Sequence, residues 1–429
     1  MEKPVQVGLL GCGTVGSGVL SILQANGERI AARAGAPIEV RRVAVRDPKK
    51  SRTVSLDPAL LTTDPWEIVN DPGIDIVVEV IGGVDPARDL IAAALDKGKP
   101  VVTANKEVLA KHGPELLSLA ARRGVDLFFE GSVAGGIPII KPLRESLAAN
   151  RVQAIVGIIN GTTNYMLTRM SREGIPFAEV LREAQALGYA EADPASDVEG
   201  YDAAFKIAIL ASLAFETPVR VEDVYCEGIT RITPEDIRYG RELGYEIKLL
   251  AIAREHEGQL EVRVHPAFIP AAHPLAAVND VFNAIFVRGD AVGELMFYGR
   301  GAGSLPTGSA VVADLVDAVR RLRYGGNGRQ QPPAARMAIR PIEETVSRYY
   351  VSLKVVDRPG VLAKIAAAFG ENDVSIDSVI QKGRLEDPVD LVFVTHEVRE
   401  ANIRRALAQI SRLPVVRQVS NVIRVEAEV

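Results

Sequence analysis

Val5-Gln6-Val7-Gly8-Leu9-Leu10-Gly11-Cys12-Gly13-Thr14-Val15-Gly16 is the stretch whose reading decides the fold. A short apolar, β-branched run predicts a buried strand, and the G-x-G-x-x-G that follows opens a helix. Glycines at these three places permit a tight turn, close approach of backbone to a pyrophosphate, and contact between helix and sheet. The helix N-terminus adds free N–H groups for an anion. The pattern carries weight only between a strand and a helix, and that is where it lies here. Gly11, Gly13, Thr14, Val15 and Gly16 are therefore the expected dinucleotide contacts.

Outward from this loop, β-branched runs at 38–46, 76–79, 100–103 and 126–129 alternate with amphipathic stretches such as 86–97 and 114–123. Alternation at that spacing predicts an α/β, Rossmann-like, doubly wound parallel sheet over residues 1–143. A helix at 310–322 is expected to pack back on it, so that 310–324 returns to this domain. At the end of the second strand Arg46 is placed to stack on adenine and pair with a 2′-phosphate, helped by Lys49 or Lys50. Asp47 is a rival that favours NAD, and a solvated basic loop is the plain alternative. The balance leans to NADP over NAD.

The middle third reads differently. Helical patterns at 176–187, 200–214 and 234–243 precede period-2 stretches at 245–254 and 260–264, an α+β pattern that predicts a second domain over 144–309. A Gly/Pro-rich stretch beginning at Gly325 marks a linker over 325–347. Residues 348–429 then follow the order β-α-β-β-α-β, a ferredoxin-like arrangement.

Composition narrows the function. The 429 residues exceed one core and suggest two to four domains. The net charge of −5 advertises neither nucleic acid nor an anionic membrane as partner. Two cysteines exclude a disulfide scaffold, and five scattered histidines argue against a zinc site. The amino terminus carries no signal-peptide pattern and no apolar run is long enough to span a bilayer, so a cytoplasmic protein is expected.

Chemistry concentrates in Ala184–Lys206. Glu191, Asp193, Asp197 and Glu199 lie on a loop after Gly188, and Asp202 and Lys206 share one face of the next helix at i,i+4. A lysine on an otherwise apolar helix is costly unless paired. A structural Asp–Lys pair is the plain reading. Two further features point to an active site. Thr103-Ala104-Asn105-Lys106 ends a strand on the edge where open α/β sheets bind ligands. Asn160-Gly161-Thr162-Thr163-Asn164 follows the strand expected at 152–159 and starts a helix.

With these motifs the whole chain resembles homoserine dehydrogenase, in the monofunctional form with a carboxyl-terminal ACT domain. GCGTVG, TANK, Glu130-Gly131-Ser132-Val133-Ala134-Gly135-Gly136-Ile137-Pro138, NGTTNY and the 184–206 run carry the resemblance. The resemblance is to this form, and the fused aspartokinase form is not expected. The family reduces L-aspartate 4-semialdehyde to L-homoserine with NAD(P)H, on the route to threonine, isoleucine and methionine. The resemblance implies Lys206 as proton-transfer lysine, Lys106 as a second cation near the nicotinamide, and Asp202 within the lysine network. It implies Glu191, Asp197, Asp202, Thr162, Gly161 and Tyr189 around the substrate. Thr103, Gly188, Glu191 and Gly303 join the cofactor contacts.

Glu130, Val133, Gly135 and Ile137 match a monovalent cation site of the family, a carboxylate plus three carbonyls, with sodium favoured. In the tail, Asp357-Arg358-Pro359-Gly360 is similar to the ACT module, which binds amino acids between paired domains. Asp357 and Gly360 would then hold threonine as feedback inhibitor; an oligomerisation module with no effector is the alternative. A homodimer or homotetramer is expected. Two rivals remain at this point, a Rossmann dehydrogenase of another substrate and a non-enzymatic amino-acid or redox sensor.

Overall fold

Six short strands make the first sheet: β1 (Val5–Leu10), β2 (Ile38–Ala44), β3 (Leu61–Thr62), β4 (Ile76–Glu79), β5 (Val101–Thr103) and β6 (Leu127–Phe128). The structure, a computed structural model, describes residues 3–325, 337–382 and 388–426; residues 326–336 of the expected linker lie outside the described residues. The sheet order is β3-β2-β1-β4-β5-β6 with every pair parallel. The strand order reverses between β1 and β4, which opens a crevice beyond their carboxyl ends. β4 is buried along its length, as a parallel strand covered on both faces must be.

The chain forms two compact units, and this sheet belongs to the first: residues 1–155, 204–224 and 282–337. Its core joins Val7, Leu9 and Val78 to Leu20 of the helix Thr14–Ala34 and to Val311, Leu315 and Val319 of the helix Ser304–Tyr324. Those two helices approach where a Cβ on Gly18 would lie 2.1 Å from the Ser304 carbonyl oxygen, and one on Gly308 2.8 Å from the Gly18 carbonyl carbon.

Several boundaries differ from expectation. The helix expected at 310–322 begins at Ser304. The helix expected from 114 begins at Lys106, because the Asn105 side chain caps it at the Val108 N–H and burial of Val108 and Leu109 holds its first turns. Pro114 therefore sits inside that helix rather than at its start. The helix Pro65–Asn70, absent from the sequence reading, has Asp64 as N-cap and proline in its first turn. This unit also holds an antiparallel hairpin, Phe282–Gly289 with Gly293–Arg300.

The second unit comprises residues 156–203, 225–281 and 338–429. Its strands run in the order Tyr245–His256, Gln259–Pro270, Val416–Val425, Val346–Val355, Val389–Thr395, Ile376–Lys382. The last four, with helices Val361–Gly370 and Glu400–Ile410, form the expected ferredoxin-like module around Tyr349, Leu353, Phe369, Phe393 and Ile403. The module is not an isolated bead. Val416–Val425 pairs in parallel with Gln259–Pro270 at Ala267↔Arg424 and Phe268↔Val425, so one sheet runs through both. Among the described residues no helix is long and apolar enough to cross a membrane.

Candidate active site

In the first unit the dinucleotide loop has the predicted form. Gly11 adopts φ 101°, and a Cβ there would lie 2.7 Å from the Val80 carbonyl oxygen. A Cβ on Gly16 would lie 2.3 Å from the Gly11 carbonyl oxygen, so neither position admits a side chain. A Cβ on Gly13, the helix N-cap, would meet nothing within 4 Å. That open space, in front of free helix N–H groups, fits a pyrophosphate. Thr14 and Val15 open the same helix, and Ser304 beside Gly303 donates to the Thr14 carbonyl at 2.7 Å.

Arg46 is exposed just beyond β2. One oxygen of its rival Asp47 accepts the Lys49 N–H at 2.8 Å, which turns that carboxylate into the local loop.

At the carboxyl edge of β4 and β5 lies a group that the sequence reading missed. The fully buried Glu79 accepts the Thr103 hydroxyl at 2.6 Å and the Ile81 N–H at 2.8 Å. Asn105 donates to the Gly83 carbonyl at 2.7 Å. Burial raises the Glu79 pKa, and these donors oppose the rise. Thr103 and Asn105 are fixed by this network, and Lys106 follows as the first helical residue. A glutamate ending an apolar strand was the available signal.

Glu130 is also buried. Its carboxylate accepts the N–H groups of Ile139, Ile140 and Lys141 at 2.6, 2.8 and 2.8 Å. The carboxylate assigned above to a cation is thus already committed to three amides. Val133, Gly135 and Ile137 lie in a tight turn in which Ala134 and Gly135 have φ 53° and 51°. No cluster of three His, Cys, Asp or Glu side chains suited to a metal occurs among the described residues.

In the second unit Asn160 is the hub. Its carbonyl oxygen caps the helix Gly161–Glu173 by accepting the Thr163 N–H at 2.8 Å. Its amide nitrogen donates to Asp197 at 2.7 Å and to Asp202 at 2.8 Å. The two carboxylates are therefore held together by a residue to which the sequence reading gave no role of its own. Thr162 donates to the Tyr189 carbonyl at 2.7 Å, and the Tyr189 ring packs edge-on to Tyr165 with centroids 4.9 Å apart. Glu191 and Gly188 are exposed, and Glu191 is tied in through its carbonyl, which accepts from Gln185. The structure does not join the Glu191 carboxylate to the Asn160 cluster by any hydrogen bond among the described residues. Asp202, the last acidic residue of this group, sits one turn before Lys206 on the helix Tyr201–Ala214; the two are 4% and 8% exposed, and the division between the units falls inside this helix, so that Lys206 is counted with the first. Asp357 and Gly360 are exposed at the start of the helix Val361–Gly370.

Fold and site together define a nicotinamide-dependent oxidoreductase of the Rossmann class. The family model for homoserine dehydrogenase matches residues 138–316, that family's NAD-binding domain matches 11–130, and an ACT domain matches 349–415. The chain belongs to the homoserine dehydrogenase family. It is 49% identical to the homoserine dehydrogenase of Synechocystis sp., over 98% of this chain and 99% of that one. The crystal structure of a homoserine dehydrogenase from Thiobacillus denitrificans superposes with a TM-score of 0.93 at 48% identity, covering 99% of both chains. A hyperthermophilic archaeal homoserine dehydrogenase in complex with NADPH has a TM-score of 0.63 at 27% identity, over 74% of this chain and 98% of that one. Neither rival reading, another Rossmann dehydrogenase or a sensor, is favoured by such matches.

Proposed function

We propose that this homoserine dehydrogenase reduces L-aspartate 4-semialdehyde to L-homoserine with NADPH in the cytoplasm, with Lys206 delivering the proton. The observation that carries this is the carboxylate pair Asp197–Asp202, bridged by Asn160 one helical turn from the buried Lys206. The reduced nicotinamide, when bound, supplies the hydride. Negative charge then develops on the aldehyde oxygen, and the Lys206 ammonium stabilises it and donates the proton that completes the alcohol. Lys106, which follows Asn105 at the start of its helix, is the second cation on the cofactor side. Asp197, Asp202 and Glu191 suit the substrate's α-ammonium; Gly161 and Thr162, at a helix N-terminus, suit its α-carboxylate.

Backbone carbonyls of Glu130, Val133, Gly135 and Ile137 would hold a sodium ion, since the Glu130 carboxylate is engaged elsewhere. Threonine is the proposed feedback inhibitor and a homodimer or homotetramer the proposed assembly. NADPH oxidation driven by the aldehyde tests the activity. Cofactor choice is tested by Arg46→Asp, expected to raise the KM for NADPH about tenfold or more, as for loss of a charge-assisted hydrogen bond. The KM for NADH should move little. An unchanged ratio between the two cofactors would remove Arg46 from the 2′-phosphate site.

A further inference from the structure

A buried carboxylate ends β4, and none of the roles assigned above uses it. The Glu79 side chain has no exposure to solvent. Its Oε2 accepts the Thr103 hydroxyl, and its Oε1 accepts the Ile81 N–H and, at 3.4 Å, the Asn105 amide nitrogen. The Gly82 N–H is a further donor. A carboxylate only accepts, so its two oxygens can receive all four. A charge is costly to bury, and packing alone calls for none here.

The origin of the donors is informative. Ile81 and Gly82 belong to the loop after β4, whereas Thr103 ends β5 and Asn105 caps the helix Lys106–Arg123. Asn105 closes the ring by donating to the Gly83 carbonyl at 2.7 Å. Glu79 thus ties two loops together at the carboxyl edge of the first sheet. The sheet order places β2, with Arg46 just beyond it, on one side of β1 and β4 on the other. A dinucleotide with its pyrophosphate on the loop after β1 and its adenosine beside β2 carries its nicotinamide over β4 and β5. The wall it meets there is main chain. Gly82 and Gly83, at φ 81° and 73°, are exposed, and a Cβ on either would meet nothing within 4 Å. Left-handed backbone without side chains, beside open space, lets a ligand come against the chain itself.

We propose that Glu79 is a positioning residue for the nicotinamide end of the cofactor. By holding the loop 80–83 against the end of β5 it shapes the main-chain wall on which the nicotinamide riboside rests. Being fully buried, it touches no reacting atom. This deepens the cofactor reading above and rests on it.

Fluorescence titration of the full-length protein with NADPH and with NADH tests it, with a melt alongside. Glu79→Gln keeps the shape but turns an NH₂ group into a ring of donors, which the loop can relieve only by moving. Affinity for both cofactors should fall about tenfold or more and by the same factor, as for a lost hydrogen bond to a charged group. The equal factor separates this end from the 2′-phosphate end, where Arg46→Asp alters the ratio of the two. With cofactor saturating, the KM for the aldehyde should stay near its wild-type value. A residue that only supported the fold would lower the midpoint and leave the affinity of the folded protein unchanged.

Gly82→Ala and Gly83→Ala decide the matter should Glu79→Gln fail to fold. Both positions are exposed, so both variants should fold, and the added methyl stands between main chain and cofactor. Each should weaken NADPH and NADH alike, about fivefold or more, as for a methyl forced into a fitted contact. Wild-type affinity in a folded Glu79→Gln protein, or in both glycine variants, would overturn the proposal. So would a loss confined to NADPH. Aldehyde-dependent NADPH oxidation by the wild-type protein would survive that failure, so the catalytic reading and this one fall separately.

Discussion

Asn160 shows how much chemistry one amide organises. Its oxygen finishes a helix and its nitrogen holds two carboxylates that would otherwise repel each other. Asn160→Ala removes the cap, a loss of about 1 kcal/mol in stability. It also strips a shared donor from two charged acceptors, each such hydrogen bond contributing about 1.5–3 kcal/mol. The KM for homoserine should therefore rise tenfold or more while the thermal midpoint falls only a few degrees; steady-state kinetics beside a melt separates the two. An unchanged KM would show that the carboxylate pair needs no bridge. The acidic partners were legible in the sequence because their spacing is carried by one loop and one helix. The bridge was not, because an asparagine before a helix is most simply a cap. Glu79 escaped for a related reason: a glutamate at a strand end looks like a solvated terminus until neighbouring loops close over it.

At the scale of elements, the alternating β-branched runs and helices gave the parallel sheet, since strands buried on both faces leave an unmistakable apolar signature. The two-residue β3 left none. The hairpin strand Gly293–Arg300 was equally hard to see, because it alternates only between exposed and half-buried positions. Gly18, to which the sequence reading gave no role, makes the contact with the helix Ser304–Tyr324. Gly18→Ala drives a Cβ into backbone that has no rotamer to change, and overpacking of this kind costs about 1–3 kcal/mol. Chemical denaturation should show that loss; wild-type stability would mean the two helices can part at no cost. The strand Tyr245–His256 carries a second test. Burial lowers the Lys248 pKa from 10.5 to about 8, although its ammonium donates to the Val278 carbonyl and to Asn279. Below pH 8 the folded state bears the full cost of that buried charge. Between pH 8 and 10.5 the unfolded state binds the extra proton, so stability should rise with pH by up to about 3 kcal/mol. In Lys248→Met the rise over that window should vanish, as read from denaturation midpoints across pH; a rise that persists would place its source elsewhere.

For the molecule as a whole, the sequence order of three modules was readable, but their junctions were not. The ACT module continues a sheet begun by Gln259–Pro270, a pairing made by residues some 150 positions apart that no local pattern announces. The ACT module and the Asn160 cluster consequently share one unit. The proposed mechanism stands on Lys206, whose amine it requires to meet the developing oxyanion. The most direct measurement is the turnover of aspartate semialdehyde by Lys206→Ala with saturating NADPH, taken with a melt and an NADPH titration to verify fold and cofactor binding. General acid catalysis of this kind contributes about 10²–10⁴-fold, so kcat should fall by that factor while NADPH affinity and melting temperature hold. A folded, NADPH-binding Lys206→Ala enzyme with wild-type kcat would contradict the account.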